Sequence, residues 1–178
     1  NYFCNSSRVF NINLFKKMKK KIAILGSTGS IGKSLINILK KDKNNIEITL
    51  ISINKNISEL IKQEKIFRIK NIIVSDYKKY LYLKKIFNKK KINIYNNFES
   101  IPRIFKKKKI DYVMNAISGL DGLNPTLKII EFTKKIAIAN KESIICAWPI
   151  IEKVLSKNKT KFIPIDSEHF SIYSLIGK

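Results

Sequence analysis

A glycine-rich segment near the start of the chain has the residue types and spacing of a phosphate-binding loop. Gly26, Gly29 and Gly32 stand three residues apart, between the apolar run 22–25 and an amphipathic stretch over 34–40. Glycine has no Cβ, so such a loop turns sharply and lets an anion approach its main chain. The helix that follows directs unpaired N–H groups and the positive end of its dipole at the phosphates. The order of strand, loop and helix therefore predicts a nucleotide site rather than a plain strand–helix turn.

The residues after the second apolar run, 46–53, bear on which dinucleotide would bind. In NAD-specific sheets of this kind a carboxylate at about this point holds the ribose 2′-hydroxyl. This chain has Asn54, Lys55 and Asn56 there instead. A lysine attracts a 2′-phosphate, and the missing carboxylate removes a repulsion, so the segment predicts NADP over NAD. The alternative is an ordinary polar turn with a solvated lysine.

A compact polar triplet, Asn140, Lys141 and Glu142, follows the apolar run 136–139. In open α/β sheets ligands bind outside the carboxyl ends of the strands. An amide, a cation and a carboxylate at that edge could contact both a cofactor and an anionic substrate. The alternative is that these residues only begin a helix, with Glu142 favouring the positive end of its dipole. The spacing alone leaves both interpretations open.

Two carboxylates, Asp166 and Glu168, flank Ser167 after the last apolar run, 161–165. Residues two apart on an extended segment point the same way, so both carboxylates can converge on one ion. With no cysteine nearby, they suit a hard divalent cation such as Mg²⁺ or Mn²⁺. Two ligands do not complete such a site, so a third would come from beyond Lys178 or from the substrate.

These segments are positioned by a regular alternation of apolar runs and helical stripes. Strands are predicted over seven ranges: 21–25, 46–53, 71–75, 92–95, 111–116, 136–139 and 161–165. Helices are predicted over 34–40, 57–66, 77–87, 98–105, 123–133 and 150–155, the first with Ile31, Leu35, Ile38 and Leu39 on one face. The βαβα order predicts an α/β fold, a doubly wound parallel sheet with helices on both faces.

The composition limits the class of protein. The net charge is +23, but only three of the 36 basic residues are arginines, at Arg8, Arg68 and Arg103. Lysine rises together with isoleucine and asparagine along the whole chain, so we expect no specific nucleic-acid binding, only weak adhesion at low salt. No apolar run is long enough to cross a bilayer, and the two cysteines have no disulfide or metal spacing. We expect a cytoplasmic protein with no membrane partner.

Both ends of the chain bear on its organisation. Residues 1–17 contain no acidic group, and Met18 stands where an initiator would fall. We therefore expect 1–17 to be an upstream leader, with a plastid-type organelle as the location if it is a targeting remnant. The predicted domains are a dinucleotide-binding domain over 18–165 and the truncated start of a metal- and substrate-binding domain over 166–178.

Four motifs in this order, GSTGSIG, NKN, ANKES and PIDSEH, resemble the amino-terminal part of the 1-deoxy-D-xylulose 5-phosphate reductoisomerase family. The resemblance runs from Met18 to Lys178. It implies an NADPH- and divalent-metal-dependent enzyme of the non-mevalonate isoprenoid pathway that rearranges and reduces the ketose phosphate to 2-C-methyl-D-erythritol 4-phosphate. It also implies a homodimer at full length, and a fragment that binds NADPH at best without turnover.

The resemblance assigns roles to residues of this chain. It implies that Thr28, Gly29, Ser30 and Ile31 lie on the NADPH phosphates, with Lys55 and Asn56 near the adenosine 2′-phosphate. Asn140 and Glu142 would contact the cofactor. Lys141, Ser167 and Glu168 would contact the sugar phosphate substrate, and Asp166 and Glu168 would bind the metal.

Two other functions remain open from the residues. A semialdehyde-type dehydrogenase shares a similar glycine loop but needs a catalytic cysteine, for which Cys146 is the candidate. A non-catalytic NADP-binding or sensing module would keep the sheet and lose the chemistry.

Overall fold

A computed structural model describes residues 18–165 of the protein. Its seven strands are β1 (Lys20–Leu25), β2 (Ile46–Ile53), β3 (Asn71–Val74), β4 (Asn93–Tyr95), β5 (Tyr112–Asn115), β6 (Lys135–Ile138) and β7 (Lys161–Ile163). They form one sheet in the order β4-β3-β2-β1-β5-β6-β7, and every neighbouring pair is parallel. The predicted doubly wound parallel sheet is confirmed.

Six α-helices connect the strands: α1 (Ser30–Lys40), α2 (Ile57–Phe67), α3 (Tyr77–Ile86), α4 (Ile101–Phe105), α5 (Leu123–Ile129) and α6 (Lys141–Asn158). Short 3₁₀ turns at Phe98–Ser100, Leu120–Gly122 and Ile130–Phe132 precede α4, precede α5 and follow α5. None of the helices within residues 18–165 is both long and apolar enough to pass through a bilayer.

The sheet separates two apolar clusters because alternate residues of each strand point to opposite faces. In β1, Ile22 and Ile24 join the cluster that packs under α1, α2 and α3. Ala23 and Leu25 join the cluster that packs under α4, α5 and α6. Both faces are therefore covered, and the carboxyl ends of the strands remain as the edge at which ligands can reach the sheet.

The predicted packed face of α1 was correct for Leu35 and Leu39, which lie against the cluster under the helix, and wrong for Ile31 and Ile38. The helix begins at Ser30, directly after the loop, and the residue it buries completely in the core is Ile36. Ile31 and Ile38 are 44% and 64% exposed. The stripe of apolar residues in the sequence misled the assignment, because isoleucine is common in this chain at solvent-facing positions as well.

The prediction for α6 was too short, since the helix runs over Lys141–Asn158 rather than 150–155. It contains a bend, where Ala147 leaves helical geometry at φ −138° and ψ 19°. Pro149 lies inside the helix and has no N–H for the carbonyl of Ile145, which accounts for the break. Trp148 packs edge-on against Phe162 of β7, with 5.2 Å between the ring centroids.

Candidate functional site

The phosphate-loop residues join β1 to α1 at the carboxyl edge of the sheet. Gly26 has φ +75°, and a Cβ there would lie 2.7 Å from the carbonyl oxygen of Ala116 on the neighbouring strand connection. Only glycine suits both the left-handed backbone and this close approach. The loop is thus pressed against the connection that follows β5, at the point where the order of the strands reverses between β1 and β5.

The amino terminus of α1 differs from those of the other long helices. The helices α2, α3 and α6 are each preceded by a capping residue, Asn56, Asp76 and Asn140, whose side chain accepts a hydrogen bond from a backbone N–H of the first turn. The corresponding residue of α1 is Gly29, which has no side chain to cap the helix, and its first turn contains no acidic residue. The first N–H groups of α1 therefore remain available to a bound anion.

A cleft of about 800 Å³ opens beside this helix end. Thr28 and Gly29 line one side of it, and Lys55 and Asn56 line the side formed by the connection from β2 to α2. Two residues predicted to lie on the phosphates and two predicted to lie near the 2′-phosphate thus share one cavity. Asp121 is a carboxylate that also lines this cleft, and its side chain belongs to an exposed residue of the turn before α5.

A smaller pocket of about 160 Å³ lies on the other side of the connection after β5. Ile31, Asn140 and Glu142 line it, and Ala116, Ile117 and Ser118 line both cavities. The exposure of Ile31, unexpected for a packed helix face, is accounted for by this position. An elongated ligand could therefore extend from one cavity to the other across the connection after β5.

Asn140 is 4% exposed, and its side-chain amide is bonded within the protein. Its Nδ2 donates to the carbonyl of Ile117 at 2.7 Å, and its Oδ1 accepts from the N–H of Ser143 at 3.2 Å. Asn140 thus ties the start of α6 to the connection that separates the two cavities. Lys141 and Glu142 follow it as exposed residues of the first turn of α6.

Asn115 holds the same connection from the sheet side. Its Nδ2 donates to the carbonyl of Gly122 at 2.8 Å and to Oγ1 of Thr126 at 2.6 Å, and its Oδ1 accepts from the N–H of Ile117 at 3.1 Å. Asn115 is completely buried. A buried amide with three partners at the end of a strand gives the cavity wall a fixed shape.

Sequence reasoning missed the role of Ser52. The side-chain Oγ of this buried residue of β2 accepts from the N–H of Gly26 at 2.9 Å, and its carbonyl accepts from the N–H of Ser27, also at 2.9 Å. It also missed Gln63 of α2, whose Nε2 donates to the carbonyl of Ser27 at 3.0 Å. The sequence carries no clear signal for either contact, because β2 also contains Glu47 and Thr49, and α2 contains several other polar residues.

Two further sets of residues were predicted from the sequence: the metal- and substrate-binding residues near the end of the chain, and a candidate catalytic cysteine. Asp166, Ser167 and Glu168, predicted for metal and substrate, lie outside the described residues. Among residues 18–165, no group of three or more potential ligand side chains could hold a metal ion. Cys146, the nucleophile that a semialdehyde-type dehydrogenase would need, is an exposed residue of α6 with a free thiol.

This chain is similar in sequence to the members of one enzyme family. A profile of the 1-deoxy-D-xylulose 5-phosphate reductoisomerase family matches residues 22–148. The enzyme of that name from Pelagibacter ubique is 59% identical over 158 residues, which are 88% of this chain and 41% of the relative. The one from Buchnera aphidicola is 40% identical over 161 residues, which are 89% of this chain and 40% of the relative. The chain thus spans about two fifths of the length of these curated relatives.

Solved structures of similar proteins share the fold. The reductoisomerase from Zymomonas mobilis in complex with NADPH has a TM-score of 0.77 and 27% identity, over 85% of this chain and 40% of that one. A reductoisomerase in complex with NADPH, fosmidomycin and magnesium has a TM-score of 0.79 and 31% identity, over 87% of this chain and 38% of that one.

Proposed function

Because residues 22–148 match its profile, the chain belongs to the 1-deoxy-D-xylulose 5-phosphate reductoisomerase family, and we propose that it supplies the NADPH-binding part of such an enzyme. The full-length protein would isomerise and reduce 1-deoxy-D-xylulose 5-phosphate to 2-C-methyl-D-erythritol 4-phosphate. The observation that carries this proposal is the cleft that holds Thr28, Gly29, Lys55 and Asn56 together beside the uncapped end of α1.

The two cavities suit the two halves of a dinucleotide. The adenosine half with its 2′-phosphate fits the larger cleft, where Lys55 supplies a positive charge at the end of β2. The pyrophosphate fits the backbone of Thr28, Gly29, Ser30 and Ile31, since helix N–H groups bind anions. The nicotinamide half fits the smaller pocket, which Asn140 and Glu142 line. When bound, NADPH supplies the hydride that reduces the rearranged substrate.

Asn140 would contribute to cofactor binding mainly by shaping the pocket, and less by a hydrogen bond of its own to the cofactor. Its amide is occupied by Ile117 and Ser143, so the side chain fixes the wall of the nicotinamide pocket and the start of α6. Glu142 and Lys141 are then presented from a helix start of defined direction. We assign Lys141 to the anionic substrate, because a lysine at this edge of the sheet complements a sugar phosphate.

The metal and the rest of the substrate site rest on residues of the sequence outside 18–165. Asp166 and Glu168 would hold Mg²⁺ or Mn²⁺, with Ser167 and Glu168 also touching substrate. Carboxylate oxygens fit such hard cations, and the metal supplies charge stabilisation at the substrate oxygens. The proposal further retains a homodimer at full length and a cytoplasmic location, with a plastid-type organelle as the alternative if residues 1–17 are a targeting remnant.

The experiment that tests the function is an assay of the full-length protein with 1-deoxy-D-xylulose 5-phosphate, NADPH and Mn²⁺. We expect loss of nicotinamide absorbance that depends on both the sugar phosphate and the metal. Binding of NADPH with no consumption under any metal condition would contradict the enzyme and favour a non-catalytic NADP-binding module. Activity that survives alkylation of Cys146 would exclude the semialdehyde-type dehydrogenase mechanism, which needs this thiol.

A further inference from the structure

Gln63 is a completely buried polar residue in the middle of α2. Its Nε2 donates to the carbonyl oxygen of Ser27 at 3.0 Å and to Oε1 of Glu59 at 3.2 Å. Both partners are acceptors, so only the NH₂ end of the amide can face them. Oε1 of Gln63 finds no hydrogen-bond partner among the described residues, which costs free energy. The orientation of this amide is therefore set by its bond to the phosphate loop.

The contact with Ser27 determines where the next N–H of the loop points. The described chain has no cis peptide bonds, and in a trans peptide the C=O and the following N–H point in opposite directions. The carbonyl of Ser27 points inward to Gln63, so the N–H of Thr28 points away from α2. Thr28 and Gly29 line the larger cleft. The bond from Gln63 thus fixes the direction of the Thr28 peptide group in the part of the loop that lines this cleft.

The rest of the loop is fixed from the same unit of structure. Ser52 of β2 holds the N–H groups of Gly26 and Ser27. The connection between β2 and α2 also carries Lys55 and Asn56. The strand and helix that flank Lys55 and Asn56 therefore also hold the peptide groups of Gly26, Ser27 and Thr28.

We propose that Gln63 is a positioning residue for the dinucleotide: it orients the Thr28 peptide so that its N–H binds the pyrophosphate. A carbonyl that accepts a hydrogen bond also polarises its peptide and makes the attached N–H a stronger donor. This inference rests on the proposed function, since it assumes that NADPH binds at this loop.

The test compares three variants of the full-length protein. Gln63→Met keeps the shape and removes the donor, whereas Gln63→His keeps a donor at Nε2. Thr160→Val is the matched control, because the buried hydroxyl of Thr160 also donates to main-chain carbonyls, those of Ile130 and Thr133, and it precedes β7, away from the loop. The dissociation constants of NADPH and NADH are measured by nicotinamide fluorescence, beside kcat, KM and the melting temperature.

We expect Gln63→Met to weaken NADPH and NADH alike by about tenfold, since both share the pyrophosphate. KM for NADPH should rise while kcat at saturation stays within about twofold of wild type. Gln63→His should recover most of the affinity. Thr160→Val should lower the melting temperature with no change in either dissociation constant. In wild type, NADPH should slow hydrogen exchange of the Thr28 amide.

The inference would be overturned if the Gln63→Met variant melts at a lower temperature but binds both dinucleotides as tightly as wild type. The proposed function would then remain intact. If Gln63→Met does not fold, the exchange measurement on wild type decides, because an unprotected Thr28 amide in the NADPH complex contradicts the role. A wild-type protein that binds no NADPH would remove both the proposed function and this inference.

Discussion

Lys55 is the side chain that we propose as the contact for the 2′-phosphate that distinguishes NADPH from NADH. It is exposed at the end of β2 and lines the same cleft as Thr28 and Gly29. Its neighbour Asn56 is engaged as the cap of α2, accepting from the N–H of Glu59 at 3.1 Å. The charge that a 2′-phosphate would meet at this turn is therefore supplied by Lys55.

The first prediction is that Lys55→Glu in the full-length protein weakens NADPH by about 10- to 100-fold, the range for loss of a charge-assisted hydrogen bond. NADH has no 2′-phosphate and should be weakened far less. Dissociation constants from nicotinamide fluorescence check this. Lys43→Glu, at an exposed residue before β2 and at the opposite end of the strands, controls for the change of net charge. Equal weakening of both cofactors would contradict the 2′-phosphate role.

The second prediction concerns Asp166, which the sequence assigns to the metal. Asp166→Asn keeps the size of the side chain and removes the charge that attracts a divalent cation. The concentration of Mg²⁺ or Mn²⁺ needed for half-maximal activity should rise by about tenfold or more. The measurement is a metal titration of the full-length enzyme, with Asp121→Asn, at the exposed carboxylate of the larger cleft, as the comparison. An unchanged metal requirement would exclude Asp166 as a ligand.

The sequence indicates candidate site residues where a residue type has a local meaning, and the roles of these residues stay predictions. The glycines of the loop and the lysine after β2 were recognisable because their neighbours along the chain define a strand and a turn. Gln63 and Ser52 were not, because their partners in the loop lie 36 and 26 residues away and only the packed sheet brings them together. The roles of Asp166, Ser167 and Glu168 stay predictions.

At the scale of elements, the connection from β5 to α5 is held between the sheet and α6. Asn115 bonds it from the sheet, and Asn140 bonds it from the start of α6. Gly122 lies at the centre of this contact, where a Cβ would stand 2.9 Å from the carbonyl oxygen of Ile117 and overlap the amide of Asn140. The fit of these two connections depends on the absence of one methyl group.

The third prediction is that Gly122→Ala destabilises the protein by about 1–3 kcal/mol through overpacking. The backbone of Gly122 has an ordinary φ of −76°, so the cost arises from the collision and not from strain. Thermal unfolding should show a clear fall in melting temperature. Gly29→Ala is the matched control, because its Cβ would meet nothing nearer than 3.5 Å. A stability loss of the same size in both variants would contradict this explanation.

Element order and most boundaries followed from the sequence, since apolar runs and helical stripes are short-range signals. β2 was predicted over 46–53, as the structure has it. The faces and starts of helices were less predictable. α1 buries Ile36 instead of Ile38 because the sheet surface below it, and not the stripe alone, decides which residue is covered. α6 begins at Lys141, so the residues Asn140, Lys141 and Glu142 do begin a helix, which was one of the two interpretations of this triplet.

At the scale of the whole molecule, a chain with a net charge of +23 has few carboxylates with which to pair its lysines. Asp111, just before β5, is a carboxylate that has two partners. It accepts from the N–H of Lys21 at 2.9 Å and pairs with Nζ of Lys134 at 2.8 Å. The hydrogen bond from the Lys134 side chain, followed by that from the Lys21 backbone, lowers the pKa of the Asp111 carboxyl. This pair links β1, β5 and the start of β6 at the end of the sheet opposite the cleft.

The fourth prediction follows from that lowered pKa. A carboxyl whose pKa is lower in the folded state stabilises the fold above its unfolded pKa of about 4, and this contribution is lost as the pH falls through the folded value. Asp111→Asn should therefore lower the melting temperature at neutral pH. The gap to wild type should narrow as the pH falls below about 4, and it should close once the Asp111 carboxyl is protonated in the folded protein as well. Because the pair is partly exposed, the effect should stay under about 1 kcal/mol.

Melting curves between pH 2 and pH 7 make this measurement, with Glu152→Gln, at an exposed residue of α6, as the control for loss of a negative charge. A difference between Asp111→Asn and wild type that is constant over the whole range would show that the carboxylate contributes nothing through its ionisation.

The bend in α6 divides that helix into two stiff pieces with different attachments. Ile151 and Leu155 of the second piece are buried in the apolar cluster under α4, α5 and α6, whereas Lys141 and Glu142 belong to the first piece. The start of the first piece is held by its own contacts, since Asn140 bonds to Ile117 and Ser143 is completely buried. The bend at Ala147 and Pro149 consequently lets the polar start and the apolar end of one helix follow two different axes, each directed to its own partners.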